Sequence, residues 1–227
     1  MYLDMTYVYF VLPALLLAMW AQIRVTTTFN RYSKVATGRG LTGFEAARKI
    51  LDANGLHSVK IEHVGGNLTD HYDPKANVIR LSDNVYGSNS VGAVGVAAHE
   101  AGHAVQHSEG YVPIKVRNSV VPAANIGSNL AFPLALLGIL MANDLLINAG
   151  IILFSAVVLF QLVTLPVEFN ASKRAVAVLG GDAMLSRQEV HGVKKVLSAA
   201  AMTYVAAAAT AIMNLVRLVV LANRNRD

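Results

Sequence analysis

The chain has 227 residues, of which 54% are hydrophobic and 15% charged, with a net charge of +5 and no cysteine. Ordinary soluble domains carry roughly 25% charged residues, so this deficit indicates membrane-spanning runs. The lack of cysteine excludes disulfides and leaves His, Asp and Glu as the ligands for any metal. No basic stripe with interleaved aromatic residues is present, which argues against a nucleic-acid partner.

The first predicted element is a charge-free run, Met5–Ile23, long enough to cross a hydrocarbon core of about 30 Å as a helix. No Lys or Arg precedes it and no Ala-x-Ala site closes it, so an uncleaved anchor over residues 1–23 is favoured over a signal peptide. Basic residues follow at once, which places that side in the cytoplasm. They are Arg24, Arg31, Lys34 and Arg39.

Residues 24–118 are predicted to form a small α+β catalytic subdomain. Thr42 and Glu45 have the spacing of a capping box, which opens an amphipathic helix ending near Asn54-Gly55. Three short segments follow: strands at Ser58–Val64 and Asn77–Leu81, and between them a turn at Tyr72-Asp73-Pro74. By analogy with zincins, we expect the second strand to be the sheet edge on which an extended substrate pairs.

The motif His99-Glu100-Ala101-Gly102-His103 lies in a run that Ser90 is suited to cap. Each helical residue turns by about 100°, so His99 and His103 share one face, one turn apart. Two neutral imidazoles at this spacing can bind one Zn²⁺, with Glu100 beside them to act on a metal-bound water. A helix with two structural histidines and a solvated glutamate is the alternative.

Two further charge-free runs, Ser119–Ala142 and Leu145–Val167, predict a transmembrane hairpin over 119–167 with a tight turn at Asn143-Asp144. The alternative is a buried helical hairpin of a soluble protein. Residues 151–165 are too uniformly apolar for that alternative.

Residues 168–195 are polar and basic again and predict a cytoplasmic helical region with a turn at Gly180-Gly181-Asp182. The last segment, 196–227, holds an alanine-rich run, Val196–Val216, and a basic tail. Small residues suit close packing of membrane helices, although they are also common in soluble ones. If the run spans the membrane, the tail (Arg217, Arg224 and Arg226) lies on the non-cytoplasmic side, against the charge rule.

A catalytic zinc needs a third protein ligand and an open position for water. His107 lies two turns beyond His99, roughly 12 Å along the helix axis, and cannot easily share its ion. Glu168, at the end of the third apolar run, is a better candidate. It could equally be an interfacial charge that ends the span, and sequence spacing leaves both open.

Several stretches carry a resemblance to a known family. They are Tyr32-Ser33-Lys34-Val35, Gly40-Leu41-Thr42-Gly43, Leu68-Thr69-Asp70-His71-Tyr72-Asp73-Pro74, Ala97 to Gln106 around the motif, and Val167-Glu168-Phe169-Asn170-Ala171-Ser172. On these, most of the chain resembles the YugP-like family of bacterial membrane zinc metallopeptidases. The layout is more distantly similar to gluzincin membrane peptidases related to HtpX and the CAAX prenyl proteases.

The resemblance implies one Zn²⁺ per chain held by His99, His103 and Glu168, with Glu100 as general base. In the distant relatives an acid commonly follows the ligand glutamate by a few residues, whereas here Asn170 and Ser172 stand nearby. The donor that would stabilise an oxyanion is not identified by sequence. Candidates are His71, Tyr72, Arg174 and His191.

The sequence therefore predicts a mostly helical α+β, multi-pass protein of the bacterial inner membrane with a small zincin-like cytoplasmic domain. Its expected activity is that of a zinc metalloendopeptidase, with the lipid bilayer around it and membrane-associated polypeptides as substrates. A site-2-type intramembrane protease would need the motif helix itself to span, and that helix is too weakly apolar. A non-catalytic zinc-stabilised scaffold or adaptor is the other alternative, but a structural site has no need of Glu100.

Overall fold

The computed structural model describes residues 5–181 and 184–224. These residues form six α-helices and one three-stranded sheet, so the predicted mostly helical α+β class is confirmed. A π-helical turn, Tyr7–Val11, leads into the first helix. The helices are α1 Leu12–Tyr32, α2 Gly43–Ala53, α3 Val91–Ser108, α4 Val112–Leu140, α5 Asp144–Gly181 and α6 Arg187–Arg224. Residues 1–4 of the predicted anchor, Asp182 of the predicted turn and Arg226 of the basic tail lie outside the described residues.

The chain divides into two compact units. The first, here called the helical unit, comprises Met1–Gln22, Val112–Pro166 and Met202–Asp227. The second, here called the site unit, comprises Ile23–Tyr111 and Val167–Ala201.

The sheet of the site unit has the strand order β1-β3-β2. Strand β1 (Lys60–Val64) pairs in parallel with β3 (Val78–Ser82), and β2 (His71–Asp73) pairs with the other side of β3 in antiparallel orientation. The expectation that Asn77–Leu81 forms a free sheet edge is therefore wrong, because β3 is the central strand.

The predicted turn at Tyr72-Asp73-Pro74 also begins too early, since Tyr72 and Asp73 belong to β2. The Asp73 carboxylate accepts hydrogen bonds from the backbone N–H groups of Lys75 (2.9 Å) and Ala76 (3.2 Å), so the chain turns just after the strand. The three-residue strand shows too little alternation to be read from sequence.

The capping box at the start of α2 is confirmed. The Thr42 hydroxyl accepts from the Glu45 N–H (3.2 Å), and the Glu45 carboxylate accepts from the Thr42 N–H (2.9 Å). This fixes the start of a helix whose apolar face, including Ile50 and Leu51, is fully buried in the core of the site unit. The capping box therefore fixes where α2 begins, and the spacing of its apolar residues sets which face meets the sheet and α3.

Helix α3, which carries the motif, starts where Ser90 predicts. The Ser90 hydroxyl accepts from the Ala93 N–H (3.2 Å), and the helix continues to Ser108. Most of its Gly and Ala residues are buried, so α3 lies in the centre of the site unit.

Four helical segments are long and apolar enough to cross a membrane, among the residues that the structure describes. They are Tyr7–Tyr32, Val112–Leu140, Asp144–Gly181 and Arg187–Asn223. The fourth contains the alanine-rich run 196–216, which thus meets the same length and composition criteria as the other three. Between α4 and α5 the Asn143 side chain accepts from the Leu145 N–H (3.0 Å), so the hairpin turn lies where it is predicted.

Candidate metal centre

Three side chains of the site unit converge on one point. His99 and His103 come from α3, and Glu168 comes from α5. The His99 and His103 Nε2 atoms lie 3.1 Å apart. The Glu168 Oε2 atom lies 3.2 Å from the first and 3.5 Å from the second. The structure thus joins the two motif histidines to a carboxylate that lies 69 residues after His99 in sequence.

This group fits a zinc ion. Tetrahedral bonds of about 2.1 Å keep two ligand atoms about 3.4 Å apart, close to the three observed separations. Two imidazoles and one carboxylate are a donor set found in catalytic zinc sites. The side chains are only 13%, 13% and 5% exposed for His99, His103 and Glu168, so few waters compete for these donors.

The close approach of α3 and α5 depends on Gly102, within the motif. A Cβ atom placed on Gly102 would lie 2.9 Å from the backbone oxygen and 3.3 Å from the Cα of Ala171. Because these are backbone atoms, any side chain at position 102 would force the helices apart. Glycine here therefore brings the two histidines within reach of Glu168.

The outer nitrogen of His103 is held by Gln106, a fully buried residue that sequence analysis does not single out. Its Nε2 group donates to the Val167 carbonyl (2.8 Å) and to Asn170 Oδ1 (2.9 Å), so its Oε1 atom faces His103 Nδ1 at 3.0 Å. With Nδ1–H as donor, a neutral His103 turns the lone pair of Nε2 toward the point shared with His99 and Glu168, where it could bind a metal ion. The signal for it was a polar residue one turn after His103 on a largely apolar helix.

The outer nitrogen of His99 has a different partner. Ser172 Oγ lies 3.2 Å from His99 Nδ1. Ser172 is one turn beyond Glu168 on α5. It is one of the two residues, with Asn170, that stand near the position where the distant relatives commonly carry an acid. A hydroxyl therefore contacts this imidazole, and Asn170 contacts Gln106 instead.

A chain of polar contacts leads from Gln106 to the surface. Asn170 Oδ1 accepts from Arg174 Nε (2.8 Å), and Arg174 Nη2 donates to Glu109 Oε2 (2.7 Å). These bonds engage the guanidinium of Arg174, one of the four candidate oxyanion donors. The contacts hold α5 against the end of α3.

The other candidate donors are placed elsewhere in the site unit. His71 is exposed on β2, and His191 is exposed on α6. The Tyr72 hydroxyl donates to Asn77 Oδ1 (3.4 Å), while its ring lies 6.0 Å from that of His107. His107 is exposed and does not belong to the ligand group, as the helical spacing predicts.

Glu100 follows His99 on α3 and is buried, with 8% exposure. Within the described part of the chain, its carboxylate has no hydrogen-bond partner. Burial alone lowers the pKa of His103, but a hydrogen bond to Glu168 and the charges of Glu100 and Glu168 together raise it above its usual value. The site is thus a buried, electronegative pocket that favours a cation.

The profile of a family described as "Putative neutral zinc metallopeptidase" matches residues 7–223. The chain belongs to this family, and the resemblance inferred from its motifs is confirmed. It is 49% identical over 223 residues to the "Putative membrane protease YugP" of Bacillus subtilis (strain 168), which covers 98% of this chain and 99% of that relative. No solved structure matches the chain.

Proposed function

We propose that the protein is a membrane-bound zinc metalloendopeptidase. The observation that carries the proposal is the convergence of His99, His103 and Glu168, with inward atoms 3.1 to 3.5 Å apart, next to the buried Glu100. Family membership supports the same class of activity.

In this proposal His99, His103 and Glu168 would hold one Zn²⁺ per chain. The ion would supply a bound water of lowered pKa and a Lewis acid for a peptide carbonyl. Gln106 and Ser172 orient the two imidazoles, so that each presents Nε2 to the shared point.

Glu100 is the general base of the proposed reaction. Its carboxylate is buried, has no hydrogen-bond partner among the described residues, and lies one helical step from a ligand. A carboxylate in this state is free to take a proton from the attacking water and to pass it to the leaving amine. A zinc-stabilised scaffold or adaptor would make no use of such a group.

The proposed arrangement in the bacterial inner membrane follows the charge pattern. Residues 1–23 form an anchor, 24–118 the catalytic subdomain and 119–167 a hairpin. Residues 168–195 bring the third ligand, and 196–227 contain a fourth membrane helix and the basic tail. Because basic residues crowd the side of the catalytic subdomain, we place it in the cytoplasm. Substrates are then polypeptides in or near the membrane.

The test compares wild type with Glu100→Gln, measuring cleavage of a peptide library and bound zinc in the same samples. We expect the variant to keep its zinc and to lose about 10² to 10⁴-fold in cleavage rate. Glu62→Gln, an exposed position on β1 outside the group of metal-binding candidates, is the matched control and should cleave normally.

A second variant, Glu168→Ala, tests the ligand assignment and should lose its zinc. Unchanged zinc content in this variant would refute Glu168 as a ligand. A wild-type protein that binds zinc and cleaves nothing would favour the scaffold alternative over the peptidase.

A further inference from the structure

A second cavity of the site unit, about 510 Å³ in volume, lies between α1 and α6. Its lining includes four cationic side chains: Arg24 and Arg31 from α1, and Lys194 and Lys195 from α6. All four are exposed. The group of metal-binding candidates, His99, His103 and Glu168, lies elsewhere in the site unit.

The cations converge because their spacing is helical. Arg24 and Arg31 are seven residues apart, so they lie on one face of α1 two turns from each other. On α6, Lys194 and Lys195 occupy the corresponding positions between His191 and Ser198, which also line the cavity. The faces of both helices that carry these groups therefore point into the same space.

The positive charge of the cavity is not neutralised by its own lining, which contains no Asp or Glu among the described residues. Within those residues, no carboxylate pairs with Arg31, Lys194 or Lys195. Like charges that line one cavity repel each other. An anion that enters the cavity relieves this repulsion.

The hydroxyl groups of the lining add donors suited to phosphate oxygens. Thr27 and Thr28 stand between the two arginines, and Ser198 stands one turn after Lys194. Cationic and hydroxyl donors on a concave surface together recognise a phosphate group better than a carboxylate, because phosphate offers more acceptor oxygens.

The position of the cavity along α1 and α6 indicates which kind of molecule carries the phosphate. Arg24 directly follows the charge-free run 5–23, and Lys195 directly precedes the run 196–216. Where these runs span a bilayer, the cations lie at its surface, at the depth of the lipid headgroups.

The two helices touch at the end of the cavity farthest from those runs. A Cβ atom on Gly192 would lie 2.7 Å from Tyr32 Cε1. This contact lies at the end of the cavity near His191, and the opposite end, near Arg24 and Ser198, lies where the apolar runs begin.

We propose that this cavity binds the phosphate headgroup of an anionic phospholipid, such as phosphatidylglycerol. The group that the cavity recognises is a phosphate ester, and the acyl chains of the lipid lie along the apolar runs of α1 and α6. The inference is independent of peptidase activity, since it rests on the cavity, its charges and its place next to the two runs.

The experiment is native mass spectrometry of the full-length protein released from detergent micelles, titrated with phosphatidylglycerol or phosphatidylcholine. Wild type should bind phosphatidylglycerol in preference to phosphatidylcholine. The Arg31→Gln/Lys195→Gln double variant should bind phosphatidylglycerol about 30-fold more weakly. This factor follows because each cation near the lipid surface contributes about 1 kcal/mol and about 1.4 kcal/mol corresponds to tenfold in affinity. The matched control, Lys60→Gln/Lys75→Gln, removes two exposed cations elsewhere in the site unit and should bind as wild type.

Equal binding of the two lipids by wild type, or equal loss in both double variants, would overturn the proposal. Competition by soluble glycerol phosphate at a concentration comparable to that of phosphatidylglycerol would assign the cavity to a soluble phosphate instead. If the protein binds polyglutamate and does not bind phosphatidylglycerol, the cavity would be assigned to an acidic polypeptide. Should the double variant fail to fold, the wild type alone still decides, because the lipid preference must weaken as ionic strength rises.

Discussion

The two units of the chain are built by different rules. The site unit buries large aliphatic side chains, such as Ile50, Ile79 and Leu179, around the helix that carries the motif. The helical unit has a smaller buried cluster, in which Ala131, Ala135 and Ala211 are prominent. It leaves many large apolar side chains exposed, as expected for helices surrounded by lipid.

The difference follows from what drives helix association in each medium. In water, burial of apolar area stabilises by about 25 cal/mol per Å² and favours large core residues. In lipid this driving force is absent, and helices pack through small residues that allow close backbone contact. In the helical unit, a Cβ on Gly127 would lie 2.2 Å from the Leu153 carbonyl oxygen, and one on Gly150 2.8 Å from that of Ala131.

The largest expected effect is that of Gly127→Leu in the helical unit. The side chain would meet the backbone of α5, so we expect a loss of about 3 kcal/mol or more in stability, or failure to assemble. Thermal unfolding in detergent micelles measures it. Ala123→Leu on an exposed face of the same helix should be nearly neutral, and equal destabilisation of both variants would contradict small-residue packing.

Gly102→Ala tests the corresponding contact in the site unit. One methyl group against the Ala171 backbone should cost about 2 kcal/mol and separate His99 and His103 from Glu168. Zinc content and thermal unfolding together report this outcome. Gly87→Ala, where an added Cβ meets nothing within 4 Å, is the control and should keep its zinc.

Gln106→Ala removes the partner of His103 Nδ1 and leaves the three metal-binding candidates, His99, His103 and Glu168, unchanged. We expect zinc affinity to fall about 10 to 100-fold, because the imidazole loses its fixed orientation. Competition with a chelator measures the affinity. An affinity equal to that of wild type would show that Gln106 only packs α3 against α5.

The smallest expected effect is that of Thr42→Ala at the start of α2. Loss of the capping hydroxyl should cost about 1 kcal/mol of stability and leave zinc affinity unchanged, since α2 carries no ligand. Chemical denaturation in micelles measures the change. A lowered zinc affinity would mean that the start of α2 and the metal centre are coupled.

Elements with local determinants were predicted well from sequence. The capping box of α2, the Ser90 cap of α3 and the turn at Asn143 depend on residues a few positions apart. Strand β2 was missed, and β3 was wrongly placed at an edge. Both errors concern pairing between strands, which depends on residues distant in sequence.

The sequence by itself determined that His99 and His103 share a helical face, because the α-helix has a fixed rotation per residue. It also determined the apolar runs, since solvent preference is a property of composition. The resemblance implied Glu168 as a third ligand, but only the tertiary structure placed it beside that pair together with Gln106 and Ser172. Their convergence depends on how closely α3 and α5 pack. That close approach is possible because glycine at position 102 has no side chain.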